Sequence, residues 1–424
     1  MKRILLAAIG LLILALAPRA YAQSASPNLT ARANQIASLF RGDANLEDMF
    51  APEFLAAVPA AQLQAVSAQL LAQYGPIQSI ARVEPVTATQ AVVTAEFERA
   101  TVRFNLAVQP QAPHRIIGLF VAGAEMRGDS LAAVAAEIRA LPGEPNFAVA
   151  RLGDAAPAML SAHEADRPLA VGSAFKLFIL AELSRQVRAG ERRWSDVVPL
   201  SRRSLPSGFL QTWPQEAPIT VHSLAALMIS QSDNTATDTL LALVGRENVE
   251  RLLPTLGVEA AARNRPFLST LEAFVLKTSA DAERRAWIGG SEAQRRQILS
   301  GRLRTVTPAD ADLARLAGTP LDIDGIEWFA SAADLVRTVD WLRRNGDDTA
   351  RAILAINPGL PSAEGLAYVG FKGGSEPGVI NLTYLVRNRA GEWHAVTGSW
   401  NNPAAVVDEG QFATLLQRAV ALVR

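Results

Sequence analysis

The chain has 424 residues, and its 41 basic and 41 acidic side chains give a formal net charge of zero. This length allows two domains, the 49% share of hydrophobic residues argues against disorder, and the balanced charge argues against nucleic acid or an anionic membrane surface as the main partner. Cysteine is absent, which excludes disulfides, thiol nucleophiles and cysteine metal sites. We predict no metal and no cofactor, because the four histidines lack the spacing of metal ligands: His114, His163, His222 and His394.

Residues 1–22 have the order of a secretory signal peptide. Positive charge at Met1–Arg3 precedes an apolar run over residues 4–17, and Ala20-Tyr21-Ala22 fits a cleavage site. The run is short for a membrane span, although a short N-terminal anchor is the alternative. Lipoprotein attachment is excluded because no cysteine follows. We therefore expect a secreted, periplasmic protein with no stable membrane anchor after cleavage.

Residues 24–122 are predicted to form a small α+β domain. Their periodicity is helical from Pro27 to Gly75 and changes to a strand pattern between residues 77 and 122. The partial alternation in that second part is typical of an antiparallel sheet with one covered face. Helices followed by a strand meander indicate an α+β domain, and its element order resembles the cone-shaped domains of the steroid-isomerase and polyketide-cyclase type. The segment contains no catalytic constellation.

The stretch Val171–Ala181 combines a serine, a lysine three positions later and an apolar helical run. If a helix begins at Gly172 or Ser173, Lys176 lies beside Ser173 on the same face, because one turn has 3.6 residues. A buried lysine loses its proton more easily and can act as a base for a serine hydroxyl. The free N–H groups of the helix N-terminus could also stabilise an oxyanion. A buried helix whose lysine reaches outward to water is the alternative.

Two later segments carry further polar residues in suggestive positions. Residues 230–238 alone indicate a loop followed by a helix whose N-cap is Ser, Asp or Asn. Residues 366–375 read as a strand with a glycine-rich end, where Gly373 and Gly374 allow another backbone or a substrate to approach closely. Lys372 at this strand end is suited to hold an anion, and a lysine in solvent is the alternative.

Together and in this order, Ser173-Ala174-Phe175-Lys176, Ser232-Asp233-Asn234 and Lys372-Gly373-Gly374 resemble the three motifs of active-site serine β-lactamases and penicillin-binding proteins. The first two serines are 59 positions apart, which is similar to the spacing in class A enzymes. The resemblance is closest to two-domain β-lactamase-like serine hydrolases, including the type found in clavulanic-acid biosynthesis, which carry the small cone-like domain in front. It implies that residues 127–424 form a β-lactamase/transpeptidase-like α+β domain, in which helices flank an antiparallel sheet.

The resemblance also implies four catalytic residues. Ser173 would attack a lactam or ester carbonyl, and Lys176 would accept or relay its proton. Ser232 and Lys372 would pass a proton to the leaving nitrogen or oxygen and hold the anion of the substrate.

The same resemblance implies a substrate-binding set. Asn234 would bind a substrate side chain or the lysine, and the N–H groups of Ser173 and Ser375 would form an oxyanion hole beside Gly373 and Gly374. One departure concerns the middle of the third motif, where the family usually has a hydroxyl residue and this chain has Gly373. The chain therefore lacks one expected donor for a β-lactam carboxylate.

The second departure concerns the base that activates the deacylating water. Class A enzymes carry a glutamate for this purpose between the second and third motifs. Glu272 lies in that interval, 40 positions after Ser232, but its surroundings lack the Glu-x-x-Leu-Asn signature. Glu272 is accordingly either a deacylation base or a charge in the first turn of a helix that Thr270 caps.

These patterns predict a secreted serine hydrolase that forms an acyl-enzyme on a small β-lactam or a related amide or ester, with slow β-lactam turnover. Two alternatives remain open, namely a DD-peptidase or penicillin-binding protein acting on peptidoglycan-like peptides, and a non-hydrolytic sensor that binds β-lactams.

Overall fold

The computed structural model of the protein describes residues 26–316, 318–360 and 363–424. The chain divides into two compact units, Met1–Arg127 and Gly128–Arg424. The predicted signal peptide, residues 1–22, lies outside the described residues. None of the helices in the described ranges is both long enough and apolar enough to cross a bilayer.

In the described part of the first unit, from residue 26 onward, four helices precede a four-stranded antiparallel meander in chain order. Residues on strands β2 and β3 alternate between buried and partly exposed positions, so one face of the sheet packs against the helices. The fourth strand begins at Ile116. The resemblance to steroid-isomerase-type domains stays a prediction. The elements are α1 Pro27–Arg41, α2 Leu46–Met49, α3 Pro52–Ala57, α4 Ala60–Tyr74, β1 Ile77–Thr87, β2 Gln90–Phe97, β3 Ala100–Val108 and β4 Ile116–Met126.

The second unit is built on a five-stranded antiparallel sheet in the order β11-β12-β13-β5-β6. Two short pairs, β7 with β10 and β8 with β9, lie outside it. The strands are β5 Glu144–Leu152, β6 Ala158–His163, β7 Leu169–Ala170, β8 Val197–Pro199, β9 Pro218–Thr220, β10 Phe329–Ala330, β11 Leu366–Glu376, β12 Val379–Asn388 and β13 Trp393–Asn401.

Helices cover both faces of this sheet. On β5, Phe147 and Val149 belong to one hydrophobic cluster, with α5 and α15, whereas Ala148 and Ala150 belong to the other, with α6 and α13. The helices are α5 Leu131–Arg139, α6 Lys176–Arg188, α7 Val221–Ser230, α8 Asn234–Val244, α9 Arg246–Thr255, α10 Thr270–Thr278, α11 Asp281–Ile288, α12 Glu292–Ser300, α13 Ala332–Asn345, α14 Asp348–Ala355 and α15 Glu409–Ala421. The predicted class is confirmed: the chain is α+β, with an antiparallel sheet flanked by helices.

Helix α6 lies in the centre of the larger cluster, and ten of its thirteen residues are buried. Its apolar side chains therefore anchor whatever precedes it in the chain. Directly before α6, residues Gly172–Phe175 form one turn of 3₁₀-helix. The predicted helix therefore begins as a 3₁₀-helix at Gly172 and continues as an α-helix from Lys176. This turn and the edge strand β11 are in contact, which brings the first and third motifs together.

Candidate active site

The turn that carries Ser173 is packed directly against the glycine-rich end of β11. A Cβ atom on Gly374 would overlap the backbone nitrogen of Ser173 and the carbonyl oxygen of Val171, so only glycine fits there. Gly172 has φ +48°, and a Cβ on it would lie 3.1 Å from the backbone nitrogen of Ser375. The two predicted oxyanion donors, the N–H groups of Ser173 and Ser375, are thus carried by facing backbones.

Lys176 is completely buried one turn after Ser173. Its Nζ lies 2.6 Å from the carbonyl oxygen of Ser232, 3.0 Å from Ser232 Oγ and 2.7 Å from Asn234 Oδ1. Burial, followed by the nearby charge of Lys372, lowers the pKa of Lys176 well below its ordinary value. Once neutral, the amine keeps two protons to donate and gains a lone pair that can accept one. This geometry suits a base near Ser173.

Ser232 connects the two lysines of the predicted site. Its Oγ lies 3.0 Å from Lys176 Nζ and 3.1 Å from Lys372 Nζ. The backbone of Ser232 has φ +55°, a region that non-glycine residues rarely adopt. The Ser207 hydroxyl donates to its carbonyl oxygen at 2.7 Å and helps to hold this conformation. The structure therefore brings Lys176, Ser232 and Lys372 into one hydrogen-bonded chain.

The neighbouring Asp233 explains how this turn is held in place. Its carboxylate caps α8 by accepting from Ala236 N at 2.8 Å, and it also accepts from the backbone nitrogens of Phe209 and Leu210 at 2.7 and 2.9 Å. A Cβ on Gly208 would overlap Asp233. Asp233 thus fastens the loop before β9 to the start of α8, beside the hydroxyl of Ser232.

Lys372 lies at the far end of the chain of hydrogen bonds, and only 4% of its surface is exposed. This placement does not match the solvated lysine that was the alternative reading of the sequence. Besides Ser232 Oγ, its Nζ donates to the carbonyl oxygen of Gly373. Burial lowers the pKa of Lys372 to about 7. Its charge therefore changes within the neutral pH range.

This titration leads to a kinetic prediction for Lys372. If the protonated amine assists proton transfer to the leaving group, kcat/KM should fall as the pH rises through about 7. Lys372→Ala should lower kcat/KM by about 10²-fold, a modest general acid–base effect, and should remove this pH dependence. A pH profile of ester hydrolysis for both proteins is the measurement. Unchanged kinetics in the variant would contradict the assignment.

Asn234 and Asp238 occupy successive turns of α8 behind Lys176. Asn234 accepts from Lys176 through Oδ1 and donates through Nδ2 to the carbonyl oxygen of Leu205 at 3.1 Å. Asp238 accepts from the backbone nitrogens of Thr270 and Leu271 at 2.7 and 3.0 Å and from Thr270 Oγ1 at 2.8 Å. Burial raises the pKa of Asp238 to about 6. Sequence reasoning missed Asp238, although its i,i+4 spacing from Asn234 was visible.

Glu272 is bound at both carboxylate oxygens. Arg246 Nη2 lies 2.7 and 2.9 Å from its two oxygens, and Ser269 N donates to Oε2 at 2.7 Å. Ser269 and Glu272 form a capping box at the start of α10. The prediction that Thr270 caps this helix is wrong, because Ser269 is the N-cap and Thr270 is the first helical residue. The contacts of Glu272 match the first-turn charge that the sequence left as an alternative.

We expect Glu272→Gln to leave deacylation unchanged, because the carboxylate is engaged in structure. The amide can still accept from the N-cap backbone, so the loss is confined to the ion pair with Arg246, about 1 to 2 kcal/mol of unfolding free energy. Pre-steady-state kinetics and denaturant unfolding test this, with Glu247→Gln in the first turn of α9 as a control for charge. Fast acylation with accumulation of the adduct in Glu272→Gln would make Glu272 the deacylation base.

A buried ionic cluster next to Ser375 was also missed by sequence reasoning. Lys277 Nζ binds Glu327 Oε1 at 2.9 Å and also binds Glu376, the residue after Ser375. Burial, with Glu327 beside it, raises the pKa of Glu376 to about 8. The cluster ties α10 and the segment before β10 to the end of β11. No sequence signal joins three residues so far apart.

Within the described residues, no group of three or more His, Asp or Glu side chains is arranged to hold a metal ion. The arrangement that the structure does assemble is two buried lysines bridged by the hydroxyl of Ser232, with Ser173 in the turn directly before Lys176. Chemically, this can activate a nucleophile and protonate a leaving group.

Comparisons with known proteins match one family model to part of the chain. Residues 130–317 match the model of a family described as the Beta-lactamase enzyme family. None of the curated proteins matches the chain. Similar solved structures include a β-lactamase from Sphaerobacter thermophilus, with 23% identity, a TM-score of 0.48 and coverage of 69% of this chain and 95% of that one. Another is PBP-A, with 14% identity, a TM-score of 0.46 and coverage of 69% of this chain and 93% of that one. A third is an ancestral class A β-lactamase of Gram-negative bacteria, with 18% identity, a TM-score of 0.46 and coverage of 69% of this chain and 98% of that one.

Proposed function

We propose, from the match of residues 130–317 to the model of the β-lactamase enzyme family, that this protein is a serine hydrolase that forms an acyl-enzyme on Ser173 with a small β-lactam, amide or ester. The observation that carries the proposal is the bonded chain Lys176–Ser232–Lys372, in which both lysines are buried. Within the described part of the chain, neither lysine forms an ion pair with a carboxylate, and a buried unpaired charge is expensive for stability. Catalysis best explains why two such lysines are present.

Acylation follows from this geometry. Neutral Lys176 takes the proton of the Ser173 hydroxyl as Ser173 Oγ bonds to the substrate carbonyl carbon. The N–H groups of Ser173 and Ser375 stabilise the oxyanion of the tetrahedral intermediate. The bond to the leaving nitrogen or oxygen then breaks, and the proton reaches that atom through Ser232, with Lys372 as the neighbouring donor. The acyl group stays on Ser173.

Deacylation needs a water molecule and a base. Lys176 serves as that base in our account, because Glu272 is held by Arg246 and Ser269. Burial, followed by the charge of Lys372, lowers the pKa of Lys176, so the amine can be neutral again for this step. In our account this one amine serves both steps, without a separate carboxylate base for the water. We therefore expect β-lactam turnover to be slow.

The bonded chain Lys176–Ser232–Lys372 also favours a second candidate, an acylation trap such as a penicillin-binding protein or β-lactam sensor. Such a protein would react at Ser173 and keep the acyl group. The two candidates share the acylation step and differ only in how long the adduct persists.

Export to the periplasm is part of the proposal and is supported by the sequence of residues 1–22 alone. Fractionation of cells that express the full chain tests it, with N-terminal sequencing of the mature protein. A mature chain that begins near residue 23 is expected.

Intact-protein mass spectrometry over time tests the proposed reaction. The protein is mixed with benzylpenicillin or with an activated phenyl ester, and samples are quenched at intervals. A transient adduct indicates a hydrolase, and a persistent adduct indicates a trap. No adduct with either compound, and no Ser173-dependent turnover, would overturn the proposal.

A further inference from the structure

A cavity of about 310 Å³ opens beside Ser232 and Lys372, along the outer part of β11. Its walls include the apolar side chains of Ile229, Phe371 and Leu382. This is the side of the site from which a proton would reach the leaving group, so the cavity is where the leaving group would lie.

Phe371 occupies the space that a side chain at position 373 would need. A Cβ on Gly373 would lie 2.9 Å from Phe371 Cζ and 3.2 Å from Leu382 Cδ2. The Phe371 ring is itself fixed, because it packs against Tyr384 with ring centroids 4.7 Å apart and fills the position next to Gly359. The Phe371 ring therefore fills the space beside Gly373, where the family usually has a hydroxyl side chain.

Two charged residues of opposite sign line the cavity. Lys372 and Glu409 are the charged residues among those that line it. The Lys372 amine already donates to Ser232 Oγ and to Gly373 O, and burial brings its pKa to about 7. Glu409 is the first residue of α15 and is exposed to solvent, with no ion pair to any residue in the described ranges. A carboxylate in this cavity would meet the like charge of Glu409, and at position 373 it would find the Phe371 ring where the family usually has a donor.

We propose that the cleft selects an uncharged, apolar leaving group over one that carries a carboxylate, with Phe371 and Glu409 as the residues that set this preference. The inference rests on the proposed acyl-enzyme chemistry. In that step the ester bond to the leaving alcohol breaks, the acyl group bonds to Ser173 Oγ, and the proton of Ser173 ends on the departing oxygen.

A matched pair of esters tests the preference. The pair is 3-carboxyphenyl phenylacetate and its methyl ester, 3-(methoxycarbonyl)phenyl phenylacetate, which differ in charge at one position of the leaving group. Values of kcat/KM are divided by the spontaneous hydrolysis rate of each ester. We expect the neutral ester to be preferred by about 10-fold or more, the size of effect that one unpaired charge produces.

Two variants separate the contribution of the Phe371 ring from that of the Glu409 charge. Glu409→Gln should reduce the preference about 3-fold or more, and added salt should reduce it in the wild type, because Glu409 is exposed. Glu247→Gln is the matched control, since Glu247 is also an exposed acid in the first turn of a helix, and it should leave the ratio unchanged. In the double variant Phe371→Ala with Gly373→Thr, the first substitution removes the ring that crowds position 373 and the second adds a hydroxyl there. This variant should have a higher kcat/KM for the carboxylate ester.

Each result decides the matter. A wild type that reacts faster with the carboxylate ester, or a Glu409→Gln protein with an unchanged ratio, overturns the inference and leaves the acyl-enzyme proposal standing. If neither ester reacts in a Ser173-dependent way, the proposed function and the inference both fail. A neutral preference that falls in Glu409→Gln and persists in Glu247→Gln supports the inference.

Discussion

Replacing Ser173 by alanine is expected to lower kcat/KM for any substrate of this protein by about 10⁶-fold, the size of effect seen when a serine nucleophile is removed. The substitution removes the only oxygen that can carry the acyl group in our account, and the rest of the site remains. We expect the fold to survive, because the surrounding turn is held by backbone contacts with Gly374. Ester hydrolysis measures the loss.

Ser300→Ala is a suitable control, because Ser300 is an exposed hydroxyl at the end of α12. It should keep the full activity. A Ser173→Ala protein that unfolds at the same denaturant concentration as the wild type, and still turns over the ester at a comparable rate, would contradict the role of Ser173.

The second large effect is expected for Lys176. Lys176→Met should slow acylation by about 10³ to 10⁴-fold, because it removes the general base while methionine fills most of the buried volume. Lys176→Arg is the informative companion, since arginine keeps a positive charge but cannot give up its proton. Both variants should be equally slow if the lysine acts as a base. Single-turnover acylation measures the rates.

An active Lys176→Arg protein would show instead that the positive charge matters and that the base lies elsewhere. The stability of each variant must be measured alongside, because the carbonyl of Ser232 and Oδ1 of Asn234 both lose a buried donor when Lys176 is replaced.

The elements that could be predicted from the sequence are those with a strong local pattern. The apolar run of α6 and the strand of the third motif, residues 366–375, have such patterns, and both appear in the structure. Strand β6, Ala158–His163, was not predicted, because its sequence contains no β-branched or aromatic residue and it lies at the edge of the sheet. Its place is decided by pairing with β5, which local sequence does not show.

In the candidate site, the residues could be predicted from the sequence and the contacts among them could not. The motif residues could be selected because their types and order resemble a known pattern, but the contacts among them depend on tertiary structure. Lys372 reaches Ser232 across 140 positions, and Arg246 holds Glu272 across 26. The second contact decides between a catalytic and a structural reading of Glu272, and no local feature of the sequence contains it. Burial, which lowers the pKa of Lys372 to about 7, is likewise a property of the packed fold.

The account depends most directly on where the acyl group is attached. The measurement is tandem mass spectrometry of peptides from the protein quenched during reaction with an activated phenylacetate ester. We predict that the added mass lies on the peptide that contains Ser173, at that residue, and that it is missing from Ser173→Ala treated in parallel. Acylation at another residue, or equal labelling of the Ser173→Ala protein, would contradict the central claim.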